Sequence, residues 1–182
     1  MQAAPSNIVE TKRLYLILLT TGCLQALFTG DYERAQAGTR FLISPDCTLL
    51  NDAWVGRRLH MIEADAEQHP WMYRALVRKH DHVMVGHISF HHKAPDPFYS
   101  EYSHAAAELG YTIEVPYRQQ GYAKESALAM MDWARMQGVT DFFLTISPQN
   151  VPSIKLAESM HYRKIGELID ETDGIEYLYT AK

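Results

Sequence analysis

Glu108-Leu-Gly-Tyr-Thr-Ile-Glu-Val115 reads as a strand, Arg118-Gln-Gln-Gly-Tyr-Ala123 as a tight loop, and Lys124 to Gln137 as a helix. A strand, a glycine-bearing loop and a helix start make a physical device for holding an anion. The first-turn N–H groups of a helix lack intrahelical partners, and its dipole favours negative charge there. Gly121 permits a positive φ and puts no side chain in the way of a ligand. After the loop, Ala127, Met130, Met131 and Ala134 recur at the spacing of a helix face packed on a core, which anchors the loop on its C-terminal side.

Downstream, Asp141-Phe-Phe-Leu-Thr-Ile-Ser147 is a buried-type strand, and Pro148-Gln-Asn150 leads into a helix over 151–160. Asn150 is a good N-cap, and Pro152 suits a first turn that does not need its N–H. Arg163 to Ile169 and Ile175 to Thr180 read as a last hairpin turned at Asp173-Gly174. Upstream, Ile8 to Leu19 holds a continuous apolar run of strand type, and Thr20 or Thr21 caps a short helix through Phe28. A loop with Gly38 and Ser44-Pro45 follows. Asn51-Asp52 caps a helix from Ala53 to Glu67, which His69-Pro70 breaks. Met72 to Arg78 and Val83 to His92 form a hairpin around Lys79-His-Asp-His82, before a Tyr-, Ser- and His-rich loop from Phe98 to Ala107. The expectation is an α/β fold: one domain over 1–182, with a mixed, mostly antiparallel central sheet flanked by helices on both faces.

Composition narrows the classes. The chain has 182 residues, 47% hydrophobic and 21% charged, with a net charge of −5, so a nucleic-acid partner is not expected. No apolar run approaches the ~18 residues of a membrane span, so no membrane partner is expected. Two cysteines, Cys23 and Cys47, form no CxxC pair, and the N-terminus has no secretory pattern, which makes the cytoplasm the expected location. Six of the nine histidines fall between 80 and 104, and His87 and His91 share a strand face, but no tight ligand spacing is present and no metal is expected.

The motifs Glu108-Leu-Gly-Tyr-x-Ile, Arg118-x-x-Gly-x-Ala123, Phe142-Phe-Leu and Asn150-x-x-Ser-Ile, in this order and spacing, resemble the core of the GCN5-related N-acetyltransferases (GNAT) over roughly residues 108–165. Thr11-Lys-Arg-Leu-Tyr-Leu and Val85-Gly-His-Ile-Ser resemble the family's first and third strands more loosely. The branch most similar acetylates protein N-terminal amines, including those of ribosomal proteins, and other small amines. The loop lacks the glycine patterns of nicotinamide-binding folds and nucleotide hydrolases.

The resemblance implies acetyl-CoA as co-substrate. It places the pyrophosphate on the loop Arg118, Gln119, Gln120, Gly121, Tyr122 and Ala123. It sets the pantetheine beside the backbone of Ile113 and Val115, with Asn150 bonding it as well. It implies direct attack of a primary amine, from a protein N-terminus or a small molecule, in a ternary complex. Glu108 becomes the candidate base, while Glu114 beside Pro116 reads as a surface group. The tyrosine many members use as an acid is replaced by Ala157, which leaves Ser153 as the candidate acid. Tyr162 reads as packing. His161 stands where the family has a helix-ending glycine, so it is expected to adopt a left-handed conformation. His91 or His92 is expected to line the acceptor site, and Tyr99, Tyr102 and His104 read either as a polar loop or as a cover over substrate. Pairing of two copies through the last strands is a further implication. The missing tyrosine keeps open an alternative: a non-catalytic acyl-CoA-binding sensor or interaction module.

Overall fold

The computed structural model describes residues 7–170 and 174–181. The N-terminal apolar run divides into β1 (Ile8–Glu10) and β2 (Leu14–Leu18), because Thr11 turns the chain between them. Its Oγ1 accepts the Leu14 N–H at 2.9 Å, and its own N–H donates to Leu14 O at 2.9 Å. Helix α1 (Thr21–Phe28) starts at Thr20, whose side chain accepts from Cys23 N. Helix α2 (Tyr32–Ala37) arises where the sequence reads as loop. Asp31 caps it by accepting from Arg34 N, and only Ala35 of its six residues is buried, so hydropathy carries no sign of it. Helix α3 (Ala53–Ala64) is capped by Asp52 and stops short of the expected Glu67. Asp65 there caps a 3-10 turn, Ala66–Trp71, that contains Pro70.

Strands β3 (Arg74–Arg78) and β4 (Met84–Phe90) form the expected hairpin. Strand β5 covers Ala106–Ile113, earlier than the expected 108–115 at both ends. Helix α4 (Tyr122–Met136) starts inside the loop motif, and Ala127, Met130, Met131 and Ala134 are buried as their spacing predicts. Strand β6 (Asp141–Ile146), helix α5 (Val151–Ser159), β7 (Arg163–Asp170) and β8 (Gly174–Thr180) follow. Asp173 of the expected last turn lies outside the described residues, and Gly174 has φ +79°. His161 takes the left-handed conformation, with φ 65°.

The architecture is α/β, with the eight strands in the order β1-β2-β3-β4-β5-β6-β8-β7 in a mixed, mostly antiparallel sheet. Contacts group the chain into two compact units, one reaching to Ser89 and including Tyr111–Met130, the other made of Phe90–Gly110 and the chain from Met131 onward. In the first, Leu24, Leu27, Ile43, Leu49, Val55 and Met72 are wholly buried in one cluster. Each such side chain contributes about 2 kcal/mol relative to exposure. Gly86 of β4 has a structural reason to be glycine, since a Cβ there would lie 2.1 Å from Thr112 O. His87 is buried without a partner for Nδ1 among the described residues, and burial pushes its pKa down to about 4.

In the second unit, β5 pairs with β6 in parallel from Ala106–Asp141 to Glu108–Phe143. Tyr99 stacks on Phe143, ring centroids 4.2 Å apart. Tyr162 is buried, and its hydroxyl points at Met131 Sδ at 3.4 Å. The two cysteines are free and buried, and burial pushes the Cys23 thiol up to about 11 and Cys47 to about 12. No helix among the described residues is long and apolar enough to cross a membrane.

Candidate active site

The loop is built from backbone and braced by one distant arginine. After Ile113 ends β5, Val115–Tyr117 form a 3-10 turn, so Val115 sits outside the strand that was expected to contain it, and it is exposed. Pro116 removes a ladder donor and sets the bend. Gln119 and Gly121 both take positive φ, 60° and 81°, which folds the exposed segment Arg118–Gly121 back into the start of α4. Tyr122 and Ala123 therefore belong to the first helical turn. Glu125 N donates to Gly121 O at 3.1 Å as α4 begins, and a helix start leaves its first-turn amides without intrahelical acceptors. Arg118 points its Nε back to Ile113 O at 2.9 Å and ties the loop to the strand end.

Arg13 is the residue that sequence reasoning missed. Its Nη1 donates to Gln120 O at 2.9 Å, and its guanidinium lies over the Tyr122 ring, 4.5 Å from the centroid. Glu125 holds it there, accepting from Arg13 Nε at 2.6 Å and from Arg13 N at 2.8 Å. Thr11 Oγ1 donates to the same carboxylate at 2.6 Å. Burial opposes ionisation of Glu125, but the hydrogen bonds from Thr11 and Arg13 outweigh it and hold its pKa below the ordinary carboxylate value. A Cβ on residue 121 would come within 3.4 Å of Arg13 Nη2, so the glycine leaves the guanidinium its room. First-turn amides, a glycine and a fixed cation are groups that suit a pyrophosphate. The only sequence sign of Arg13 was its place in Thr11-Lys-Arg-Leu, since it meets its partner 112 positions away.

Glu114 departs from the surface position expected of it. It is 6% exposed and accepts from Thr48 N at 3.0 Å and Thr48 Oγ1 at 2.9 Å, which pins the 44–50 segment to the end of β5. A strand-end carboxylate followed by proline carries no sequence mark of a partner so far away in the chain.

The second group of candidate residues is made of side chains. Glu108 on β5 is 6% exposed. Its Oε2 meets His91 Nδ1 at 3.1 Å, and Thr145 of β6 donates to its Oε1. Burial would raise the Glu108 carboxyl, but the neighbouring His91 and the hydrogen bonds from His91 and Thr145 prevail and keep it below the usual range. Tyr99, read from sequence as a possible cover over substrate, is instead fully buried. Burial first, and the Glu108 charge second, push its hydroxyl far up, so it stays neutral. Asp96 is buried too. Its Oδ1 accepts from Phe98 N at 3.0 Å, while Oδ2 has no partner among the described residues, and burial raises its carboxyl. Tyr102 is half exposed.

Asn150 is the N-cap of α5, exposed, with Oδ1 accepting from Ser153 N at 3.3 Å. Ser153 is half-buried in the first turn, and Ala157, where the common acid is missing, is wholly buried. Among the described residues no group of three or more His, Cys, Asp or Glu side chains is placed to hold a metal ion. The arrangement supplies an exposed glycine loop braced by an arginine and a buried carboxylate paired with an imidazole.

A family model described as an acetyltransferase (GNAT) domain matches residues 13–163. Among curated proteins, YnaD of Bacillus subtilis, an uncharacterized N-acetyltransferase, is 23% identical over 92 residues, 50% of this chain. The chain spans about half the length of that relative, 49%. Among solved structures, the ribosomal-protein-S5-alanine acetyltransferase of Vibrio fischeri superposes with a TM-score of 0.64 at 17% identity, covering 96% of this chain and 96% of that one. An acetyltransferase of Agrobacterium tumefaciens gives 0.62 at 20% identity, covering 98% of this chain and 95% of the other. At these identities the structural likeness is one of fold.

Proposed function

The chain belongs to the GNAT acetyltransferase family, and from that premise we propose that it moves the acetyl group of acetyl-CoA to a primary amine by direct attack in a ternary complex. The whole of 1–182 is read as one catalytic domain, located in the cytoplasm. The observation that carries the proposal is the loop Arg118–Ala123, with Gly121 at φ 81° and Arg13 braced against Gln120. Its backbone amides and the Arg13 cation are assigned to the pyrophosphate, the edge at Ile113 and Val115 to the pantetheine, and Asn150 to a further cofactor contact. A cap residue retains lone-pair capacity for that second role. Ser153 is assigned to protonating the leaving thiolate, and Glu108 to the group of side chains that removes the amine proton. The acceptor is a protein N-terminus or a small-molecule amine. One solved neighbour is named as an acetyltransferase of an alanine on a ribosomal protein, which is the reason to include peptides in any acceptor panel.

Titration with acetyl-CoA, followed by thiol release in the presence of Ser-, Ala- and Met-initiated peptides, a diamine and an aminoglycoside, tests the reading. Saturable binding with release on at least one acceptor is expected, and no binding would sink it. A second reading has one observation in its favour: the buried Ala157 stands where many members carry an acidic tyrosine. Under that reading the chain is an acyl-CoA-binding sensor, and it would bind acetyl-CoA without release across the panel. A thiolate leaves tolerably near its ordinary pKa of ~8.5, so the missing tyrosine does not exclude the enzyme.

A further inference from the structure

We propose that His91 takes the proton from the attacking amine and that Glu108 is the positioning residue that orients it; this rests on the acetyltransferase reading above. Glu108 is poorly placed to act on a substrate itself. It is 6% exposed, and both of its oxygens are engaged, one by Thr145 and the other by His91. Its ionised state also makes it a weak proton acceptor, because its partners stabilise the anion.

His91 has the complementary properties. It follows directly on β4 and is locked to β5 twice, through its backbone N–H to Glu108 O at 3.0 Å and through Nδ1 to Glu108 Oε2 at 3.1 Å. An imidazole that donates Nδ1–H to a carboxylate presents its lone pair at Nε2. That nitrogen lies over Gly110, where a Cβ would stand only 2.9 Å from it, so the missing side chain on β5 is the space the ring occupies. A third of the His91 side chain is exposed, against 9% for Glu108. The dyad therefore joins a buried orienting carboxylate to a part-exposed ring. Asp96 and Tyr99 face the dyad, with His92 beside Asp96 and Glu176 beside Tyr99.

The step balances. The amine lone pair forms the N–C bond to the thioester carbonyl carbon, and Nε2 takes one amine proton. The C–S bond then breaks with its pair on sulfur, and a proton returns to the thiolate, giving amide and CoA thiol. This is general base catalysis by a group whose tautomer is fixed in advance.

The test uses the full chain, with acetyl-CoA and the best acceptor of the panel described above. His91→Gln is expected to lower kcat/KM by about 100- to 10,000-fold while leaving acetyl-CoA binding unchanged. The same variant loses the acidic limb of the pH–rate profile. Glu108→Gln is expected to lower kcat and to shift the His91 tautomer, read by heteronuclear NMR of the ring nitrogens in the free protein. Gly110→Ala should displace the ring and give an intermediate loss. Wild-type activity in His91→Gln, with activity lost in Glu108→Gln, would make Glu108 the base and overturn the assignment. A neutral His91 carrying its proton on Nε2 would also overturn it. Failure of the inference is distinct from failure of the function: an active wild type with an active His91→Gln removes only the dyad. A wild type that binds acetyl-CoA and releases no thiol on any acceptor removes both.

Discussion

The loop at Arg118–Ala123 and the cluster around Glu108 solve opposite problems with opposite materials. The loop is exposed, made of backbone amides and a glycine, and needs only its neighbours in sequence plus one arginine. The cluster centres on the buried Glu108, draws side chains from four separate segments of the chain, and holds an ionised carboxylate in a place where burial alone would neutralise it. An anion-binding surface tolerates solvent and gains from open backbone donors. A proton-handling site needs fixed partners, because each unpaired buried group costs about 1–3 kcal/mol. The difference shows why donor recognition can be read from a short motif while proton chemistry cannot.

Four measurements would break or sharpen that contrast. The largest effect is expected at the loop: Gly121→Glu puts a carboxylate and a strained φ where an anion belongs, and acetyl-CoA affinity should fall by about a thousandfold, ~4 kcal/mol, in calorimetric titration. Retained affinity would contradict the loop assignment.

Next is a buried histidine with no carboxylate, the reverse of His91. His87 has a folded pKa of about 4, below its unfolded value. Its contribution is fully present above the unfolded value of ~6.5 and is lost as pH falls through the window down to the folded value, on the order of 3 kcal/mol in total. Chemical denaturation between about pH 7 and pH 5 stays above the carboxylate range and should show this slope in the wild type and not in His87→Phe. A slope unchanged by the substitution would show that His87 is not buried neutral.

Glu108→Ala should cost about 2–3 kcal/mol of stability by stranding His91 and Thr145, a cost that no loop substitution of the same size should match. Thermal denaturation of the variant beside Gln119→Ala makes that comparison directly. Smallest is Asn150→Ala, expected to remove about 1 kcal/mol through the lost cap of α5. An additional weakening of acetyl-CoA binding in that variant, measured below its unfolding temperature, would support the second role assigned to Asn150.

Most of the sheet was legible from sequence because its strands are long, apolar and bounded by turn residues. The hairpin of β3 and β4 follows from two strand-like runs around a polar turn, and the buried face of α4 from its helical spacing. What escaped was short or capped rather than packed. Helix α2 is held by Asp31, and the early stop of α3 comes from Asp65, which starts a new turn. At the site, Gly121 and Asn150 were visible because a turn and a cap are local. Arg13, the burial of Glu114 on Thr48, and Tyr99 under Phe143 were not, since each depends on a partner far along the chain.

The sequence by itself determined the α/β alternation, the family motifs and the anion loop, because backbone conformation and orphan amides follow from residues a few positions apart. Only the tertiary structure brought together the side chains to which the proton chemistry is assigned. Glu108 and His91 look like a strand acid and a strand histidine with no mark of each other until folding puts them 3.1 Å apart, with Thr145 on the other oxygen and Gly110 leaving the ring its space. Charge stabilisation in a buried place is a property of neighbours in space, and spacing along the chain does not encode it.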